Sequence, residues 1–280
     1  LMNDVDCSGI DFVPVGDWTG NPFSGSLDGK NKIVNNLHIE WSSPTGLFGD
    51  AYRALIRNLG VENAQINCVF ATESAAVGGL VGNFVGKIEN SYFKGDITGN
   101  YVFIGGLVGA TGNDFSYGNN TIENSYFEGT ITSPNEAYAA AGLVGSISYT
   151  DILNSYAVGT ANGTYYTLGG LTADSFGASI ENSFSTMNFS NATASNAQGG
   201  LMGYNIWWYE LNEIINSYWD TYLTVQSNCI NDSNTGCTST NNQAALYYGA
   251  SGIPFSQLGW STDVWQAQDG TYPTLKGQTE

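Results

Sequence analysis

The chain has 280 residues, of which only 11% are charged, and carries 36 glycines. Seven Lys and Arg stand against 25 Asp and Glu, a formal charge of −18, which repels nucleic acid and anionic lipid and makes both poor partners. Thr, Val, Ile and Tyr are common and the long helix formers sparse, so composition predicts β structure with many turns.

In chain order, residues 1–32 form a lead-in, in which Phe12, Val13, Trp18 and Phe23 are expected to cover the open end of the first coil. The chain opens at Leu1 without a charged-then-apolar leader, and is read as an exported protein from which such a signal has been removed. No apolar run reaches membrane-spanning length, so membrane insertion is not expected.

From 33 to 223 two phrases alternate. The first reads GLFG (46–49), GGLVG (78–82), GGLVG (105–109), AGLVG (141–145), GGLTA (169–173) and GGLMG (199–203). The second follows each copy: LIRNLGV (55–61), KIENSYF (87–93), TIENSYF (121–127), DILNSYA (151–157), SIENSFS (179–185) and EIINSYW (213–219). Aligned on the Asn, these give one column of Ile56, Ile88, Ile122, Ile152, Ile180 and Ile214, and a second of Asn58, Asn90, Asn124, Asn154, Asn182 and Asn216. An earlier copy, IVNNLHI (33–39), puts Val34 and Asn36 first in these columns.

Repeats of this length, with short strands, Gly corners and no helical period, predict an all-β parallel β-helix of about seven coils with N- and C-terminal caps. Equivalent residues then stack about 4.8 Å apart, with the Ile column and the Leu column of the first phrase pointing inward. Asn suits the corner because it tolerates the left-handed region and its amide can bond to its stacked neighbour. A residue present in every coil shapes the coil, so the Asn-Ser-Tyr phrase is architecture rather than chemistry. The column Tyr92, Tyr126, Tyr156, Phe184 and Tyr218 counts as inward by parity, but a bend at Asn can invert that count; it is either core or a stacking surface for glycans.

Together the two phrases resemble the GLUG motif, found repeatedly in large bacterial surface and secreted proteins, including adhesin-like proteins and the non-catalytic parts of some IgA-specific peptidases. The lead-in and the close, NSYWDTYL followed by GWSTDVWQAQDGTYPTL, resemble the flanks of such arrays. The resemblance implies a right-handed parallel β-helix on an exported protein and supplies no catalytic residue. Thr172 and Ala173 depart from the motif.

Residues 224–280 leave the repeat and are expected to cap the last coil, with Trp260, Trp265 and Tyr272 as cap core. Cys229 and Cys237 bracket a short polar loop, a spacing that suits a disulfide and an extracellular or cell-surface location. Cys7 and Cys68 are left open, to pair or to stay as thiols. Five sequons, at Asn119, Asn162, Asn188, Asn191 and Asn231, matter only in a host that glycosylates them.

Chemistry is thin. His38, the single histidine, is expected to face outward by strand parity. Arg57 is expected in register with Glu89 and Glu123, either as a surface column or as a cation or sugar-acid site. No cofactor is expected, and the one ion that such carboxylates suit is Ca2+. Trp207, Trp208 and Tyr209, in the insertion YNIWWYE (204–210), are the candidate interaction patch.

The sequence thus reads as a non-enzymatic, exported surface domain for adhesion, or a rigid stalk or filament unit. Its partners would be a cell-surface glycan, a protein ligand or further copies of itself. A polysaccharide-binding or lyase-like β-helix is the alternative. An ice-binding solenoid ranks third, because the column of Thr98, Thr132 and Thr160 breaks down at Met187 before reaching Thr221.

Overall fold

A computed structural model describes residues 1–17, 19–42, 44–70, 75–100, 102–112, 114, 118–205, 212–231, 237–240, 260–266 and 271–277. Among them, nineteen strands join one continuous sheet, and its strands pair in parallel with the coil before and after. The chain is an all-β parallel β-solenoid of about six turns.

The Ile column forms as the repeat dictates. Ile56 pairs with Ile88, Ile88 with Ile122, Ile122 with Ile152, Ile152 with Ile180 and Ile180 with Ile214, and all six are buried. The Leu column runs down another side, each Leu donating its N–H to the Leu carbonyl of the next coil, from Leu80 to Leu107 at 2.9 Å through to Leu171 and Leu201 at 2.8 Å. The glycines beside these leucines are set by close approach: a Cβ on Gly106 would lie 2.1 Å from the Gly142 carbonyl oxygen and 2.2 Å from the Phe127 ring. Thr172, where the motif departs, is fully buried and its hydroxyl is 2.8 Å from that of Ser175.

Each Asn of the second phrase sits in the left-handed region, with φ between 46° and 51° from Asn58 to Asn216. This corner reverses which way successive side chains point. The Ser after it is buried, its hydroxyl donating to the carbonyl two residues back and accepting the N–H of its counterpart in the preceding coil. Ser91 N–H bonds Ser125 Oγ, Ser125 N–H bonds Ser155 Oγ, Ser155 N–H bonds Ser183 Oγ and Ser183 N–H bonds Ser217 Oγ, at 3.0–3.2 Å. The hydroxyl thus satisfies a buried N–H at a bend where the sheet ladder lapses.

The first copy aligns differently from the sequence expectation. Val34 pairs with Val61, not with Ile56, and Leu27 takes the place beside Ile56. Asn36 correspondingly neighbours a different corner, at Asn63, whose side chain donates to Asn35 Oδ1 at 2.9 Å. The place beside Ile56 is already taken by Leu27, seven residues earlier, and the bulge between Asp28 and Lys32, where Lys30 and Asn31 both take positive φ, then brings Val34 opposite Val61. IVNNLHI therefore stacks on GVENAQI (60–66), one strand further along the coil.

The lead-in follows the solenoid path as a partial turn. Val5 pairs with Val34, Asp11 with His38, Val15 with Phe48 and Phe23 with Ala51. Phe12 and Phe23 pack on the core, whereas Val13 is exposed and Trp18 lies outside the described residues. Val5 and Val15 continue inward columns but are 39% and 41% exposed, so this turn leaves its outer side to solvent.

At the other end, Cys229 occupies the next place in the Leu column, accepting the Leu201 N–H at 2.9 Å. Cys237 occupies the next place in the Ser column, opposite Ser217. The disulfide between them closes the last turn from one column to the other. Cys7 and Cys68 are buried as thiols.

Two predictions follow from the corner and the closure. Asn154→Ala should cost about 1–2 kcal/mol and Asn154→Gly clearly less, since only the former meets the left-handed Cβ penalty. Urea unfolding would show the pair in that order. Replacing Cys229 and Cys237 together by Ser should lower stability by about 2 kcal/mol, read as a lower midpoint for the double variant under non-reducing conditions.

Candidate functional site

The charged column forms, with two members that the sequence reading missed. Arg57 pairs in register with Glu89, and Glu89 with Glu123. Arg57 lies 3.1 Å from Asp28 and 3.9 Å from Glu89, while Lys87 lies 2.8 Å from Glu89 and 3.3 Å from Glu123. Two cations thus serve three carboxylates along one flank. Lys87 was legible from KIENSYF, two places before Glu89 on the same face of the strand; Asp28 was missed because SLDG, not IVNN, is the stretch that stacks on LIRN. Carboxylates engaged in this way have little capacity left for a cation or for acid–base work, and the half-exposed pairs contribute little stability.

The aromatic column settles on the outer side of the Asn corner. Phe93 and Phe127 point into the main core, while Tyr92, Tyr126, Tyr156, Phe184 and Tyr218 form a separate buried cluster with Trp260, Trp265 and Leu275. Successive rings stack nearly parallel: Tyr92–Tyr126 at 4.8 Å, Tyr126–Tyr156 at 4.6 Å and Tyr156–Phe184 at 5.0 Å. Their faces are turned to each other, so only edges point outward, and a sugar stacks on ring faces. The column is therefore not a glycan platform. It ends at Tyr92, whose phenol donates to Glu62 at 2.8 Å and whose ring fills the space above Gly60, where a Cβ would lie 2.5 Å from it. Burial pushes the phenols of Tyr126 and Tyr156 up from their ordinary value.

What covers this column is the C-terminal segment. Trp260 donates Nε1–H to the Asn216 carbonyl at 2.8 Å, Trp265 packs on Tyr156 and Phe184, and Tyr272 bonds to Asp220 through its hydroxyl. Trp265–Gln266 and Thr274–Leu275 pair antiparallel, and Gly277 reaches the surroundings of Asn58 and Tyr92. Trp260, Trp265 and Tyr272 are thus core residues, but of a strap along the flank of the coils. Between this strap and the Asn ladder runs a groove of about 300 Å³, lined among others by Asn58, Asn90, Asp263, Val264, Leu275 and Lys276.

Trp207, Trp208 and Tyr209 lie outside the described residues; of that insertion, Tyr204 is 40% exposed. A second aromatic group was not foreseen. Phe103 lies 6.0 Å from Tyr138, and the register that joins Ala137 to Tyr165 and Ala139 to Thr167 sets Tyr166 beside Tyr138 on the next coil. Tyr138 and Tyr166 are 39% and 50% exposed. Only the pairing register, offset by the bulge between Ser133 and Glu136, brings them together.

His38 faces outward as expected, 3.8 Å from Asp11 and 4.0 Å from Glu40. The threonines do not form the supposed column: Thr98 pairs with Thr132 but Thr132 pairs with Asn162, while Thr160 pairs with Thr130. Among the described residues, no group of three or more His, Cys, Asp or Glu could hold a metal ion.

One carboxyl is perturbed by its surroundings. Asp174 stands in an outward column through Asn83, Ala110 and Ser146, and burial pushes it up to about 6, with the Thr167 hydroxyl opposing that shift. A carboxyl whose folded value exceeds its ordinary 3.8 is favoured when protonated, so its contribution is greatest below about pH 4 and is lost as pH rises through 6. Asp174→Asn should raise stability at pH 7 by about 1–3 kcal/mol and flatten the dependence between pH 4 and 6. Urea unfolding at both pH values would show it, with Asp50, raised by burial in the same column, retaining its own share.

Comparison with known proteins agrees with this architecture. Residues 73–98 match the GLUG motif. Halomucin from Haloquadratum walsbyi is 33% identical over 125 residues, which take in 40% of this chain and 1% of halomucin; the chain thus spans a very small part of that relative. Among solved structures, a Bacteroides ovatus protein assigned as a candidate immunoglobulin A1 protease superposes with a TM-score of 0.67 at 19% identity, over 100% of this chain and 85% of that one. A structure named IgA1 Protease superposes with a TM-score of 0.53 at 20% identity, over 85% of this chain and 19% of that one. At these identities the likeness to the solved structures is one of fold.

Proposed function

We propose that this GLUG-motif β-solenoid is an exported surface domain without catalytic activity, serving adhesion as a rigid scaffold. The observation that carries the reading is the stack itself: among the described residues, successive turns are tied by parallel pairing and the buried Ile and Leu columns, and from Ser91 onward by Ser hydroxyls. Such a rod resists bending and holds its flanks at fixed spacing. The disulfide suits an oxidising, extracytoplasmic compartment, and the acidic surface favours solubility there. The candidate immunoglobulin A1 protease and the IgA1 Protease structure share only the fold with this chain, and the role argued for it is that of a non-catalytic part.

Binding of a polysaccharide, rather than its cleavage, is the second reading. It is favoured by the groove under the strap, while the charged column has its carboxylates engaged by Arg57 and Lys87. The ice-binding reading loses its basis, because Thr160 stands outside the Thr98–Thr132 column.

Treatment of intact cells with a protease should release fragments of this domain while a cytosolic marker stays protected. Full protection of the domain would overturn the surface assignment. Incubation with polygalacturonate should give no ultraviolet absorbance from unsaturated ends; a steady rise would overturn the non-catalytic reading.

A further inference from the structure

We propose that the groove between the Asn ladder and the C-terminal strap binds a short stretch of uncharged oligosaccharide; this deepens the surface-scaffold reading by naming a ligand class and a place for it.

The two walls differ in chemistry. On the solenoid side, Asn58 donates to Asp28 Oδ1 at 3.0 Å and accepts from Asn90 Nδ2 at 3.2 Å, and Asn90 accepts from Asn124 Nδ2 at 3.2 Å. A carboxamide has two N–H groups and two acceptor lone pairs. The ladder uses one of each at Asn58 and Asn90, so both retain a donor and an acceptor while lining the groove. This donor–acceptor pair recurs once per coil, about every 4.8 Å along the axis. A pyranose chain repeats at a comparable spacing, and each of its hydroxyls both donates and accepts.

The strap side offers the half-buried Val264, an apolar side chain that suits the C–H face of a sugar ring, with Leu275 behind it buried against the tyrosine column. Asp263 and Lys276 line the same side with opposite charges; Asp263 accepts from hydroxyls and Lys276 donates to them. Mixed polar groups on an apolar wall are the common build of a small-ligand site, and about 300 Å³ falls at the small end of such sites. An anionic glycan fits less well, since one ammonium is set against one carboxylate in a chain of net charge −18. An extended peptide also fits less well: its side chains on one face repeat about every 6.8 Å, out of step with the amides.

The ladder is also more than a by-product of coil stacking. Asn is needed at each corner for its left-handed backbone, yet only where the strap lies opposite does the amide row become one wall of a groove. The groove residues come from two separate stretches of chain, 31–124 and 263–277, which makes the site depend on the strap being docked on its aromatic column.

Isothermal titration of the full chain with cellohexaose, mannohexaose and chitohexaose tests the proposal, with trigalacturonate as the anionic arm. At least one neutral hexasaccharide should bind and trigalacturonate should not. Asn90→Gly keeps the left-handed corner accessible while removing the amide, and should weaken that binding at least tenfold. The pair Asp263→Asn with Lys276→Gln, on exposed strap residues, should weaken it similarly with the thermal midpoint unchanged, and decides the matter should Asn90→Gly fail to fold. Binding of none of the three, binding of trigalacturonate alone, or unaltered affinity in the strap variant would overturn the proposal. Titration in solution is independent of where the protein resides, so a protein protected on intact cells would sink the surface reading and leave this result standing on its own.

Discussion

The left-handed Asn corner is the constraint on which the rest of the molecule depends. By holding φ near +50° at one place in each coil, it turns the strand and inverts the side on which the following residues lie. Phe93 and Phe127 are thereby sent into the core, and Tyr92, Tyr126 and Tyr156 are sent out of it. The solenoid acquires a second apolar seam on its outside as a direct result. An outward seam of phenol edges needs a cover, and the C-terminal strap supplies it with Trp260, Trp265 and Leu275. Corner, seam and strap are one chain of cause. Changing the corner's handedness would remove the reason for the strap as well as the geometry of the groove beside it.

Much of this was legible in the residues. Ile88 on Ile122 and Leu107 on Leu143 could be aligned by eye, because a buried column tolerates few residue types and the phrase around it is nearly invariant. Arg57 beneath Glu89 and Glu123 was legible for the same reason. What failed were readings that needed a register across an irregular stretch. The stretch SLDG, which lacks the Asn-Ser-Tyr phrase, puts Leu27 in the place beside Ile56 expected for Val34, and Asp28 beside Arg57 went unseen with it. The bulge after Ser133 likewise hid the approach of Tyr166 to Tyr138. Pattern reading counts residues, and a bulge changes the count without leaving a mark in composition.

The destination of the aromatic column was undecidable for a different reason. Parity along a strand presumes a continuous pleat, and one left-handed residue breaks that presumption. The strap posed a harder problem still. Tryptophans at the end of a repeat array are equally suited to closing the end of the core or to running along its side, since both surfaces are apolar. Only the tertiary pairing of Trp260 with Asn216 and of Trp265 with Phe184 distinguishes them. The candidate groove inherits this difficulty, as its two walls lie more than a hundred residues apart in sequence.

The serine hydroxyls give the molecule a direction in time. Each corner N–H is satisfied by a hydroxyl from the following coil, Ser91 by Ser125, Ser125 by Ser155 and Ser155 by Ser183. A coil emerging first from the ribosome or through an export channel therefore holds an unmet donor until the next repeat arrives. Docking of that repeat satisfies it and leaves a new one in its place. Growth of the ordered rod then advances one repeat behind the emerging chain, with its exposed defect always at the leading edge. The relay reaches Ser217, and opposite Ser217 stands Cys237, whose disulfide to Cys229 ties the Ser column to the Leu column. The bond thus fastens the two columns to each other at the last coil among the described residues.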